Sequence, residues 1–142
     1  MKVRIHRKDS SVPLPEYQTP GSVAFDLAAS EDTTVPPREI RLIPTGLVIC
    51  TPPGHILLVA TRSSTPMKKG LMLANGIGII DQDFCGPDDE IKLQLFNFTD
   101  QPVEIKKGDR LAQGLFLKLD RVEWEEVSQL ENKTRGGFGS TG

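Results

Sequence analysis

Five short segments hold residue types suited to gripping phosphate. The last, Thr134-Arg135-Gly136-Gly137-Phe138-Gly139-Ser140-Thr141-Gly142, cannot build a core. Its glycines instead let backbone N–H groups approach anionic oxygens closely, Ser140 and Thr141 add hydroxyl donors, Arg135 supplies fixed charge and Phe138 an aromatic face. That combination suggests a flap over a polyphosphate. Ala60-Thr61-Arg62-Ser63-Ser64 sets a guanidinium beside two hydroxyls at the end of a strand, and Lys107-Gly108-Asp109-Arg110-Leu111-Ala112-Gln113 opens another strand. Gly21 to Leu27 is read as a turn with one carboxylate, Asp26, amid small and apolar residues. Each has a plain structural reading: Asp26 as a turn cap, Arg62 as a surface cation, Asp109-Arg110 as a solvated turn pair, the tail as a disordered end.

The segment from Asn75 to Gly86 is richer. Asn75-Gly76 is a strong hairpin signal, and such a turn exposes backbone donors and acceptors beside a slot. Asp81 then follows Gly78-Ile79-Ile80, a run suited to a buried strand. A calcium loop starting at Asp81-x-Asp83 is excluded, because Cys85 stands where Asp or Asn is expected and Lys92 where the bidentate Glu must be.

The elements that must position these groups read as β. Strand signals fall at Val3-His6, Glu39-Ile43, Leu47-Thr51, Ile56-Thr61, Gly78-Ile80, Glu90-Phe98, Val103-Ile105 and Leu111-Leu119, separated by Pro, Gly and Asp. The alternation Ile91-Lys92-Leu93-Gln94-Leu95-Phe96 predicts a half-buried antiparallel strand. One short helix is predicted after Ser64, with Thr65 as cap, Pro66 at its first position and Gly70 as its end. The pattern is an all-β sandwich or barrel in one domain.

At 142 residues the chain can build a core, yet its hydrophobic fraction of 37% is low, and such chains often complete their burial by association. A net charge of −2 argues against broad attraction to nucleic acid or to anionic membrane, so an anionic ligand needs a local basic site. Cys50 and Cys85 are too few for a disulfide framework, and the start Met1 to Lys8 lacks the apolar stretch of a signal peptide, which carries the expectation of a reducing, cytoplasmic setting. The sequons at Asn97 and Asn132 are then chance matches.

Taken in this order, the five segments resemble the motif set of the homotrimeric dUTPases (dUTP diphosphatases), over Gly21 to Gly142. The resemblance implies a jelly-roll-like β-barrel over residues 1–132, and a flexible Gly-rich arm over 133–142 that closes an active site. It implies a homotrimer with sites shared at subunit interfaces, converting dUTP and water to dUMP and pyrophosphate with Mg²⁺. That reaction lowers dUTP and supplies dUMP for thymidylate synthesis. Asp81 matches the carboxylate that orients and deprotonates the attacking water. Arg62, Ser63, Ser64 and Gln113 match triphosphate-binding positions, and Asp26 a supporting carboxylate. In the arm, Gly139, Ser140 and Thr141 match phosphate donors, with the cation supplied by Lys133 or Arg135. Mg²⁺ is held through phosphates and water, with no side chain as direct ligand.

Selectivity follows the same resemblance. Asn75, Gly78 and Ile80 belong to a hairpin similar to the family's uracil slot, where cytosine would set a donor against a donor. Phe84 stands where the family usually places Tyr, a ring under the deoxyribose that leaves no room for a 2′-hydroxyl. Phe138 would stack on the uracil. The chain departs from the family in the missing Phe84 hydroxyl, in about three extra residues around Pro87-Asp88-Asp89, and in Lys133 at the usual arm Arg. Two alternatives share the barrel. A dCTP deaminase would need a Glu where Gln94 stands and lacks the glycine-rich arm, and a non-catalytic nucleotide-sensing relative would not need Asp81, Asp26 and the arm together.

Overall fold

Aliphatic runs broken by Pro, Gly and Asp give short strands, and little chain is left for helix. The computed structural model describes residues 1–137 and 139. Within them the elements are β1 Ile5–Arg7, β2 Phe25–Ala28, β3 Thr33–Val35, β4 Ile40–Pro44, β5 Leu47–Ile49, β6 His55–Thr61, α1 Ser64–Lys69, β7 Leu71–Leu73, β8 Gly78–Ile80, β9 Lys92–Asn97, β10 Val103–Ile105 and β11 Arg110–Lys118. The all-β class and the single short helix are as expected. All pairings are antiparallel, in a four-stranded sheet β2-β11-β6-β8, a three-stranded sheet β4-β9-β7, and the pairs β1-β5 and β3-β10.

The core lies between the inward faces of these sheets. Leu27, Ile43, Leu57, Leu71, Leu93, Leu95, Ile105 and Leu111 are fully buried. β9 shows the alternation its sequence predicts: Leu93, Leu95 and Asn97 point in, while Lys92 is exposed and Gln94 and Phe96 are half-buried. Buried Asn97 is satisfied by donating to the Val35 and Gln101 carbonyls at 3.0 and 2.7 Å. Its amide is therefore committed to the fold, which agrees with a chance sequon.

Four local expectations are corrected. Asp26 sits on a strand, β2, because Phe25 and Leu27 alternate inward around it. Asn75-Gly76 does not close a hairpin: Gly76 does take the left-handed conformation at φ 74°, but β7 pairs with β9 whereas β8 pairs with β6. The turn is a corner at which the chain changes sheets. Nor is β8 a buried strand, since it lies at the edge of its sheet and Ile79 is 58% exposed. The helix has Ser63, not Thr65, at its N-cap; the Thr65 hydroxyl is buried and donates to the Leu111 carbonyl at 2.8 Å. Gly70 ends the helix as expected, left-handed at φ 65°. The two cysteines are bonded to each other, Cys50 to Cys85, across 35 residues.

One glycine fixes how closely β11 approaches its neighbours. A Cβ on Gly114 would lie 2.7 Å from Phe25 Cζ and 3.2 Å from Leu57 Cδ1. Phe25 is buried and packed edge-on against Tyr17 and tilted against Phe116, so its ring has nowhere to move. Gly114→Ala is expected to destabilise the fold by about 1–3 kcal/mol, the usual range for overpacking. Urea unfolding checks this, and an unchanged midpoint would show that the ring yields freely.

Candidate active site

Two groups of polar side chains stand on the four-stranded sheet, and the strand β6 connects them. The first group gathers where β6 ends and β11 begins. In the β2-β11 ladder Arg110 lies opposite Ala28, yet Ala112 lies opposite Leu27, so β11 carries one extra residue. This bulge lets Leu111 and Ala112, adjacent in sequence, both be fully buried. It also returns Arg110 to the face shared by Gln113 and its partner Asp26, which an unbroken alternation would not do.

The consequence is a carboxylate clasped by two guanidiniums. Asp26 Oδ1 accepts from Arg62 Nε at 2.9 Å, and Oδ2 from Arg110 Nη1 at 3.0 Å, with the Asp26 side chain only 13% exposed. Arg110 Nη1 also donates to Gln18 Oε1 at 2.8 Å, and Arg62 Nη1 to the Arg110 carbonyl at 3.3 Å. Gln113 Nε2 donates to the Thr61 carbonyl at 3.4 Å. A guanidinium has five donors in a fixed fork, so after these contacts Arg62 keeps donors for an incoming anion. A cavity of about 280 Å³ opens beside it, lined by Arg62, Ser64, Lys68, Lys69, Gly108 and Arg110. With four cations against the one carboxylate of Asp109 in its lining, the cavity is locally basic on a chain of net negative charge.

Asp109 and Arg110 do not form a solvated pair. Asp109 Oδ2 takes Lys69 Nζ at 2.7 Å and the Lys106 backbone N–H at 3.0 Å, which ties the helix after Arg62 to the turn before β11. Burial pushes the Asp109 carboxyl up, but the Lys69 and Lys106 hydrogen bonds and charges outweigh it, and the net displacement is below the ordinary 3.8. Sequence reasoning missed Arg110 and Lys69 as members of this cluster. The one available signal was Leu111-Ala112, two adjacent core residues that break alternation.

The second group lies at the other end of β6. Ile80 on β8 pairs with Leu57, so the continuing register sets Asp81 beside Ile56. Thr51 Oγ1 donates to the Ile80 carbonyl at 3.3 Å, and Gln82 Nε2 to the His55 carbonyl at 3.1 Å. Exposed Asp81 and Asp83 border a cavity of about 460 Å³ with His55, Ile56 and Arg121. Phe84 is 38% exposed and its N–H turns back to the Asp81 carbonyl at 3.4 Å. Asn75 is exposed at the corner. From Ile56 to Arg62 is six residues, roughly 20 Å of extended strand. The structure thus brings Asp26, Arg62, Ser64 and Gln113 together and sets Asp81 and Phe84 apart from them within one chain. Ser63 is exposed at the N-cap beside Arg62.

In the tail, Lys133 and Arg135 are exposed, Gly136 N–H donates to Thr134 Oγ1 at 3.2 Å, and Gly136 and Gly139 take left-handed φ values of 78° and 88°. Phe138, Ser140 and Thr141, assigned to ring stacking and phosphate contacts, lie outside the described residues.

A family model described as dUTPase matches residues 10–142. The chain belongs to the dUTPase family. Among curated relatives, a deoxyuridine 5'-triphosphate nucleotidohydrolase of Dictyoglomus turgidum is 43% identical, covering 100% of this chain and 99% of its own. That of Lactococcus lactis is 42% identical, covering 95% and 91%. Of solved structures, a dUTPase from Streptococcus mutans is 32% identical with a TM-score of 0.79, covering 87% of this chain and 100% of that one. The Staphylococcus bacteriophage 80alpha dUTPase with dUPNHPP reaches a TM-score of 0.87 at 20% identity, over 99% of this chain and 98% of that one, a likeness of fold alone.

The Asp109 clasp has a measurable pH signature. Its depressed pKa means that the carboxylate adds stability that is present above the unfolded value and is lost as pH falls through the folded one. Asp109→Asn should therefore melt below the wild-type protein at neutral pH, with the gap closing as pH drops below about 4. A gap that stays constant down to pH 2 in thermal melts would show that the Lys69 pairing contributes nothing.

Proposed function

We propose that this dUTPase-family chain hydrolyses dUTP to dUMP and pyrophosphate at a site completed by a second copy of itself. The observation that carries the proposal is Asp26 held between Arg62 and Arg110, which fixes a guanidinium and its basic cavity for a triphosphate. Ser63, Ser64 and Gln113 add neutral donors beside it. Asp81 holds a water and takes its proton as the oxygen attacks the α-phosphorus. The α–β bridging oxygen then leaves with the pyrophosphate. Placement of the carboxylate within hydrogen-bond reach of the water is what this role requires.

Asp81 and Arg62 stand roughly 20 Å apart along β6, too far to act on one triphosphate in a single chain. A ring of copies solves this, with the Arg62 end of one chain facing the Asp81 end of the next. A homotrimer with three equivalent sites is such an arrangement. The exposed apolar side chains support association: Ile77 at 48% and Ile79 at 58% flank the Asp81 strand, and Trp124 at 93% lies in the strandless stretch after β11. The arm from Lys133 onward would close over the triphosphate and exclude water. Asn75, Gly78 and Ile80 would read uracil, with the ring of Phe84 beneath the deoxyribose and that of Phe138 on the base.

Among the described residues no three His, Cys, Asp or Glu side chains converge as a metal cage. Mg²⁺ would be carried by the triphosphate oxygens and water and would neutralise phosphate charge there. No helix among the described residues is long and apolar enough to cross a membrane. A deoxynucleoside triphosphate substrate supports the cytoplasmic setting.

Two measurements test the proposal. Asp81→Asn should cut turnover by about 10²–10⁴-fold, as loss of a general base does, while dUTP still binds. Wild-type turnover in that variant would remove Asp81 from the chemistry. The shared site is tested by co-refolding Asp81→Asn with Arg62→Ala, each inactive alone. Random mixing should restore about a quarter of wild-type activity, because one interface in four combines an intact Arg62 with an intact Asp81. No recovery in mixed assemblies would mean that both residues must come from one chain.

A further inference from the structure

The segment from Asp81 to Asp89 carries the reactive carboxylate and the Phe84 ring, yet little holds it to the barrel. Its backbone hydrogen bonds are local: Phe84 N–H to Asp81, Cys85 N–H to Asp83, Asp89 N–H to Gly86, and the adjoining Glu90 N–H to Asp88. Its polar side-chain ties to other elements are the single neutral bond from Gln82 to the His55 carbonyl and an exposed Lys8–Asp88 pair at 3.5 Å. Neither is strong. The remaining tie is covalent, Cys85 to Cys50 with Cα atoms 5.0 Å apart. Cys50 is a firm post: it follows β5 directly, its N–H donates to the Arg4 carbonyl at 3.0 Å, and the next residue, Thr51, is buried. Both cysteines are half-buried, within reach of a small thiol or disulfide.

We propose that Cys50 and Cys85 form a thiol–disulfide exchange site whose reactant is a low-molecular-weight disulfide of the glutathione class, and that its redox state sets how firmly the Asp81–Phe84 loop is held. In oxidation, one protein thiolate attacks a sulfur of the small disulfide and releases one small thiol. The other protein thiolate then attacks the protein sulfur of that mixed disulfide, closing Cys50–Cys85 and releasing the second small thiol. Two electrons pass from the cysteine pair to the small disulfide, and the two thiol protons pass to the released thiolates. Excess small thiol reverses both steps. In a reducing setting the pair rests open, and an oxidising shift closes it. The effect on rate rests on the role proposed above for Asp81; the effect on the loop does not.

The test uses the full chain, equilibrated with reduced and oxidised glutathione at a series of ratios. Free thiols per chain should fall from two to none in one transition. Backbone hydrogen exchange over residues 81–90 should be faster in the reduced protein, and dUTP turnover should drop by about tenfold, since a small misplacement of a reacting group is costly. Cys50→Ser and Cys85→Ser should match the reduced wild-type protein at every ratio. Thiols that stay at two throughout, or exchange over 81–90 that is equal in both states, would overturn the proposal. If exchange over 81–90 responds and Asp81→Asn keeps full turnover, the tether stands and the catalytic assignment of Asp81 falls.

Discussion

The clasp of Asp26 by Arg62 and Arg110 is the contact on which the basic end of the molecule depends. Two guanidiniums side by side repel, and neither would hold a fixed direction in water. A carboxylate between them, mostly withdrawn from solvent, cancels that repulsion and gives each fork a definite heading. The clasp in turn depends on the bulge at Leu111. Without the extra residue, Arg110 and Gln113 would fall on opposite faces of β11, and one of them would point into the apolar core. Gly114, which lets β11 close on Phe25, and the Lys69–Asp109 tie, which fixes the helix after Ser63, hold the same corner from two further sides.

β6 then acts as a spacer. Paired along its length with β11 and over Leu57, Leu58 and Val59 with β8, it sets the basic cluster at one end and the Asp81 segment at the other. A sheet strand cannot bend those ends together, so the geometry that builds each half also keeps the halves apart within one chain. Under the function proposed above, the two ends can act on one substrate only if copies associate, and the low apolar content and the exposed isoleucines of the edge strand point the same way. On that proposal the single chain supplies half of each of two sites.

Much of this was legible in the sequence, and the misses have physical causes. The strands β6, β8, β9 and β10 announce themselves by aliphatic runs and turn residues, and the five segments in order identify the family. β2 resembles a turn in sequence because Gly21, Ser22 and Ala24 dominate its neighbourhood, while only Phe25 and Leu27 carry the alternation. The Asn75-Gly76 turn gives a correct local conformation but not its partner. Turn chemistry fixes dihedral angles, whereas tertiary packing decides which sheet each flanking strand joins. The bulge has almost no sequence signature beyond two adjacent core residues. The distance between Arg62 and Asp81 requires the register of β8 on β6, a long-range fact that no local pattern encodes.

The pairing of Cys50 with Cys85 belongs to the same class of facts. Two cysteines thirty-five residues apart say nothing of contact, and two are too few to announce a disulfide framework. They meet because the corner at Asn75 carries β8 onto β6, and because Thr51 binds the Ile80 carbonyl, bringing the end of β5 beside the start of the Asp81 loop. For the shared site proposed above, the loop has to stay outside the regular ladder, since a carboxylate committed to a strand face could not reach across to a neighbouring chain. A segment freed from the ladder for that purpose needs some other tether. The chain places its cross-link on the residue immediately after the Phe84 ring, where a single bond constrains both the ring and, four residues earlier, the carboxylate.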